Sequence, residues 1–305
     1  MNRVGYCCIS VGVNEGRKKK DFIMVNRGMI KKTFIDKGLV YVSELIELNL
    51  NDTLKILKYN ISKNIYVYRL SSDSFPWMSE YKFSELPNFE TIKLKLLEIG
   101  NFIKDNNLRC GFHPGPFNVL SSENTKVVDN TINELNKHAE ILDMMGLDIS
   151  TQYSINIHVG STKPTLEASA KRFCENFERL SNSCKLRLVV ENDDSPTQFS
   201  VRNLYDMVYN VINIPITVDS LHYQCHTGDM NWEDTLRLGV STWKTKPLCH
   251  HSSSRKLNED STTRLTAHAD YLYERFDTLD LDIDIELECK QKDIAAIKYI
   301  KDFLF

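Results

Sequence analysis

Residues 186–194 read LRLVVENDD. A short β-branched run ends on a carboxylate, Glu191, and polar residues follow at once. The same form recurs along the chain. RCGFHPG (109–115) ends its apolar run on His113, and Pro114-Gly115 then forces a turn. INIHVG (155–160) ends on His158 before Gly160. ITVDSLH (216–222) offers Asp219 and His222, KPLCHHSS (246–253) offers His250, and LTAHADY (265–271) offers His268. IDIELECK (283–290) ends on Glu288, and SSDSFPWMSE (71–80) carries Glu80 at its close. Ligand-type side chains at the ends of many strands suit a metal cluster at the mouth of a barrel.

Strand-like runs fall at 3–9, 65–70, 109–112, 153–159, 186–190, 214–218, 246–249 and 282–288. Segments with helical apolar spacing lie between them, at 42–58, 89–105, 127–145, 165–180, 200–209 and 294–303. The basic stretch 10–34 has little pattern and reads as a long loop or short helices. Alternation of this kind over 305 residues predicts an α/β protein, a single (β/α)₈ TIM barrel over 1–305 with the metal site at the C-terminal mouth of its strands. A doubly wound sheet would not gather so many strand ends at one place.

Composition supports an ordinary globular protein, with 42% hydrophobic and 26% charged residues and a formal charge of −3. That charge does not announce a nucleic-acid binder, but carboxylates committed to metal lower it without making the outer face acidic. No run of 18 apolar residues occurs, and the start, MNRVGYCCISVG, lacks the pattern of a signal peptide. No membrane association is expected. The eight cysteines form no CxxC pair and read as reduced thiols of a cytoplasmic or nuclear protein.

Two histidines and a shared carboxylate are what a close pair of divalent cations needs. His113, His158 and Glu191 supply them and stand as the catalytic centre. Asp219, His222, His250, His268, Glu288 and Glu80 complete the ligand set. A lone strand-end histidine is more often structural; the inference rests on the joint pattern. Mixed carboxylate and imidazole donors suit Mn²⁺ first, with Zn²⁺ or Mg²⁺ behind it, and two to three ions. Arg69 beside Ser71 and Ser72, and Ser253 beside Arg255, offer groups for phosphate oxygens, although such residues equally cap turns. Arg17-Lys18-Lys19-Lys20, with Lys31 and Lys32, offers charge for phosphates or simply a solvated loop. Tyr6, Trp77 and Phe117 offer stacking surfaces or core packing.

In order and spacing RLSSDSFPW, FHPGPF, IHVG, VVENDD, DSLH, HHSS and ELECKQK resemble the UV damage endonuclease family of xylose isomerase-like barrels, related to the three-metal apurinic endonucleases. The resemblance runs from Tyr6 to about Lys292. It implies a monomeric hydrolase that incises damaged double-stranded DNA 5′ to a UV photoproduct, in some members also at abasic sites. It places His113, His158, Glu191, Asp219, His222, His250, His268 and Glu288 on ligand positions. Glu80 falls where many members carry His. The chain departs from the family where Pro116-Phe117 replaces a Gln-Tyr pair that probes the lesion. Ser10 replaces an Asn, and Leu248 replaces a lysine that some members carry as a carboxylated ligand. A sugar isomerase or epimerase of the same superfold is the rival function, and a non-catalytic DNA-binding relative is a third.

Overall fold

The computed structural model describes residues 2–304. Eight parallel strands form one sheet: β1 (Val4–Cys7), β2 (Val67–Leu70), β3 (Arg109–Phe112), β4 (Ile155–Ile157), β5 (Leu188–Glu191), β6 (Ile216–Thr217), β7 (Leu248–His251) and β8 (Asp284–Leu287). Their order is β6-β5-β4-β3-β2-β1-β8-β7. The ring closes between the two ends through the parallel bridge Asp219↔His250, where the His250 N–H donates to the Val218 carbonyl at 3.0 Å. This is the (β/α)₈ barrel that the alternation predicts, and every strand overlaps a segment picked from the sequence, with β5 and β7 running one and two residues further. The strands are buried on both faces, which is why they read as continuous apolar runs.

The helices pack outside. Phe89–Asp105 matches the spacing residue for residue, and Thr125–Met144 and Leu166–Phe177 match it closely. The first helix is longer than expected, Lys31–Ser62, with a non-helical residue at Gly38. The 200–209 segment is one α-turn, Val201–Leu204, followed by the π-helical turn Tyr205–Tyr209. Trp232–Ser241 is a helix that the apolar spacing did not single out, although Asn231 caps it and Glu233 and Asp234 make its first turn acidic. No helix of the described residues is long and apolar enough to cross a membrane.

The loop after β1 is built rather than slack. Asn14 exchanges hydrogen bonds with Ile23, at 2.7 and 3.0 Å, and the buried Asn49 holds Arg27 from the first helix. The floor of the barrel is closed by the buried Arg109, 3.3 Å from the Asp284 carboxylate and stacked over Trp243. Gly5 on β1 is needed because a Cβ there would lie 1.5 Å from the Val67 carbonyl oxygen.

Candidate metal centre

The barrel carries seven of the nine predicted ligands to one place; Glu80 and His268 join none of the donor groups. Glu191 ends β5, and His113 and His158 directly follow β3 and β4. Asp219 lies two residues past β6 and caps the helix Ser220–Cys225, accepting the His222 N–H at 2.7 Å. That cap folds the chain back, so Asp219 and His222 face the same mouth. His250 lies within β7, and Glu288 follows β8.

Glu191 is the hub. It is 1% exposed. Its Oε2 lies 3.1 Å from His113 Nε2, 3.0 Å from His250 Nδ1 and 3.9 Å from His158 Nε2. Its Oε1 lies 3.4 Å from His222 Nδ1. The Asn156 amide, two residues before His158 on β4, also donates to it. Donor atoms close enough to share an ion form three groups: His113, His158 and Glu191; Glu191, Asp219 and His222; His250, Glu286 and Glu288. The first two groups share Glu191.

The surroundings orient the rings. His113 Nδ1 lies 3.2 Å from the Pro114 carbonyl and His158 Nδ1 lies 2.9 Å from the Asp193 carboxylate, which turns both Nε2 atoms toward Glu191. His222 Nδ1 lies 2.8 Å from the Asn192 carbonyl. Acceptors placed behind ligand imidazoles are what metal sites require. The donors also fit a cation on a second count. Glu191 Oε1 and Asp219 Oδ2 are buried and accept no hydrogen bond from any described residue. Buried carboxylate oxygens left bare are costly unless a positive charge meets them.

The electrostatics agree. Burial opposes charge on the Glu191 carboxylate, but His250, His158 and His113 hold it well below the usual range. Burial likewise works against charge on His158, His222 and His250, and the carboxylates override it. Glu191 lifts His158 and His250 to about 9, and Asp219 with Glu191 lifts His222 to about 9. His113 moves down, through burial and the nearby Arg69. Burial raises Glu286 to about 7.

Several expectations are corrected. Glu80 is exposed on the single turn Met78–Glu80 and belongs to none of the three groups. Tyr6 is fully buried, with its hydroxyl donating to Asn60 Oδ1 at 2.8 Å, so it has no face for a base. Ser253 is fully buried, its Oγ accepting the Tyr273 N–H at 3.0 Å. Ser10 is buried and its Oγ accepts the Val13 N–H at 3.3 Å. Arg255 is half-buried among Asp270 and Glu259, 3.5 and 3.9 Å away. Arg69 does not face solvent; its guanidinium contacts Glu286 and Glu288. His268 stands at the edge, its Nδ1 3.8 Å from Glu288. Pro116 and Phe117 project from the loop after His113, Phe117 at 88% exposure.

Glu286, Asn156, Asn192 and Asp193 were missed. Asn156 and Glu286 lie on β4 and β8, each two residues before a predicted ligand just past the strand end, and a period of two would have pointed to both.

The model of the family described as UV-endonuclease UvdE matches residues 2–304. The chain belongs to that family. The "UV DNA damage endonuclease" of Clostridium perfringens is 31% identical over 98% of this chain and 70% of its own length. The "UV-damage endonuclease" of Schizosaccharomyces pombe is 30% identical over 99% of this chain, which spans only 50% of the length of that relative. The crystal structure of SacUVDE superposes with a TM-score of 0.85 at 30% identity, covering 99% of this chain and 97% of that one.

Proposed function

We propose that this UV-endonuclease family member is a divalent-metal-dependent enzyme that hydrolyses the DNA backbone immediately 5′ to UV photoproducts, and at abasic sites. One observation carries the reading: Glu191 is shared between two donor groups at the barrel mouth, each with its own imidazole. That is the arrangement of a two-ion centre for phosphodiester hydrolysis. The groups His113–His158–Glu191 and Glu191–Asp219–His222 would hold the ions, Mn²⁺ first by donor type. When bound, such ions stabilise charge on a phosphodiester and lower the pKa of water.

The chain's own residues do the rest. Asp193, the Pro114 carbonyl and the Asn192 carbonyl fix imidazole orientation. The Asn156 amide holds Glu191 Oε2. Exposed Phe117, beside Pro116, offers a rigid aromatic face that inserts at the lesion, where disrupted stacking lowers the cost of unstacking. A sugar isomerase would polarise a carbonyl; four imidazoles drawn around Glu191 favour the phosphodiester chemistry instead. The enzyme acts as a monomer on damaged duplex DNA, in the cytoplasm or nucleus.

Supercoiled plasmid, UV-irradiated or untreated, is incubated with the protein with and without Mn²⁺. Nicking only of irradiated plasmid, and only with metal, is expected. Equal nicking of both plasmids, or nicking that survives thorough chelation, refutes the reading. Mapping the nick by primer extension tests its position 5′ to the lesion.

A further inference from the structure

The third donor group differs from the other two in already holding a positive charge. The Arg69 guanidinium contacts Glu286 Oε1 and Glu288 Oε1 through a single nitrogen, Nη2, which pairs with both by charge and donates a hydrogen bond to Glu288 alone. That nitrogen also lies 3.2 Å from His250 Nε2 and 3.5 Å from His250 Nδ1. All three members of the group therefore face one guanidinium nitrogen. We propose that Arg69 is the resident cation of this group, standing where an ion would otherwise bind, so that the metal is confined to the two groups sharing Glu191.

The geometry leaves no room for both cations. A metal bonded to these donors at roughly 2.0–2.3 Å would lie inside the volume of the guanidinium. Arginine does not escape by losing its proton. Its side chain is only 11% exposed, so expulsion would strand one buried charge in favour of another. Leu248, two residues before His250 on β7 and buried beside it, adds no donor atom.

The fold explains how Arg69 arrives there. β1 stands between β2 and β8. Its Gly5 is in register with Val67 on one side and Glu286 on the other, and Cys7 is in register with Arg69. Small side chains on β1 let the arginine of β2 reach across to the carboxylates of β8. Arg69 then acts as a positioning residue. It holds Glu288 and occupies the Nε2 side of His250, whose Nδ1 meets Glu191 Oε2 at 3.0 Å.

The inference rests on the metal reading above but not on DNA cleavage, and its test needs no DNA. The wild-type protein, R69Q, R69K and E286Q are stripped, reloaded with Mn²⁺, freed of excess metal and analysed for ions per chain by mass spectrometry; circular dichroism checks the fold. R69Q should gain one ion per chain over wild type, because the vacated group becomes a site. R69K, which keeps the charge, and E286Q, which removes only a partner of Arg69, should match wild type. An R69Q count equal to or below wild type overturns the assignment. So does a gain by R69K, or the loss of an ion by E286Q, which would make Glu286 a metal ligand. If R69Q fails to fold, E286Q and R69K decide. A wild type that binds no ion sinks the metal reading itself, whereas the difference between R69Q and wild type addresses Arg69 alone.

Discussion

Metal uptake should be strongly coupled to proton release. A ligand imidazole must be neutral, yet His158, His222 and His250 are raised to about 9 in the metal-free centre. At pH 7 each is therefore an imidazolium. Removing one such proton at pH 7, about two units below its pKa, costs on the order of 3 kcal/mol at 1.36 kcal/mol per unit. The first group contains one raised imidazole, His158, and the second contains one, His222. Apparent Mn²⁺ affinity of either group should rise about tenfold per pH unit from 7 to 9 and level off above, with about one proton released per ion at pH 7. Because the three rings share Glu191, their protons leave as a set and the costs do not simply add. Titration calorimetry at pH 7 in two buffers of different ionisation heat measures the protons directly. The sign for the fold is opposite. In the metal-free protein these pKa values lie above the unfolded value of about 6.5. Their stabilisation is full below pH 6.5 and is lost as pH rises through 9. Uptake at pH 7 without proton release, or an affinity flat between pH 7 and 9, would refute the reasoning.

Glu191→Gln should abolish binding of both ions and all nicking while the barrel stays folded, because the two groups lose one shared anion; full metal content in the purified variant counts against the bridging role. Phe117→Ala should weaken binding to UV-irradiated duplex by about 1–3 kcal/mol, the size of one base–aromatic stack, and leave the thermal midpoint unchanged since the ring is 88% exposed. Equal losses on damaged and undamaged duplex would show that the ring does not read the lesion. Tyr6→Phe should lower unfolding stability by about 1–3 kcal/mol in urea titrations by orphaning the buried Asn60 acceptor. Unchanged stability with lost DNA affinity would return Tyr6 to the DNA interface.

The barrel was legible because parallel strands buried on both faces are largely apolar, and many of the runs end on a ligand-type residue at the mouth. The runs ending at His113, His158 and Glu191 each change from apolar to ligand-type within one residue. Glu80 shows where the same cue misleads. Its apolar stretch is not a strand: β2 stops at Leu70, and short 3₁₀ turns, Ser72–Ser74 and Met78–Glu80, carry the chain away from the centre. Tyr6 misled for a related reason. It sits inside β1 rather than at its end, so its ring packs edge-on against Tyr68 in the core.

Arg69 marks the harder limit. In one dimension an arginine before Ser71 and Ser72 looks like a phosphate contact, because the carboxylates that hold it are far away in sequence. Its partners, Glu286 and Glu288, lie more than two hundred residues later and meet it only because ring closure sets β8 beside β1 and β1 beside β2. Period-two spacing on β8 could have paired Glu286 with Glu288 as inward-facing residues, but not with the arginine. That required knowing which residues of β1 lie between them, and that these, Gly5 and Cys7, are small enough to be crossed. The donor side chains near Glu191 were readable because each stands at the end of an apolar run. The cation beside them was not, since its charge is satisfied across a strand that carries no charge of its own.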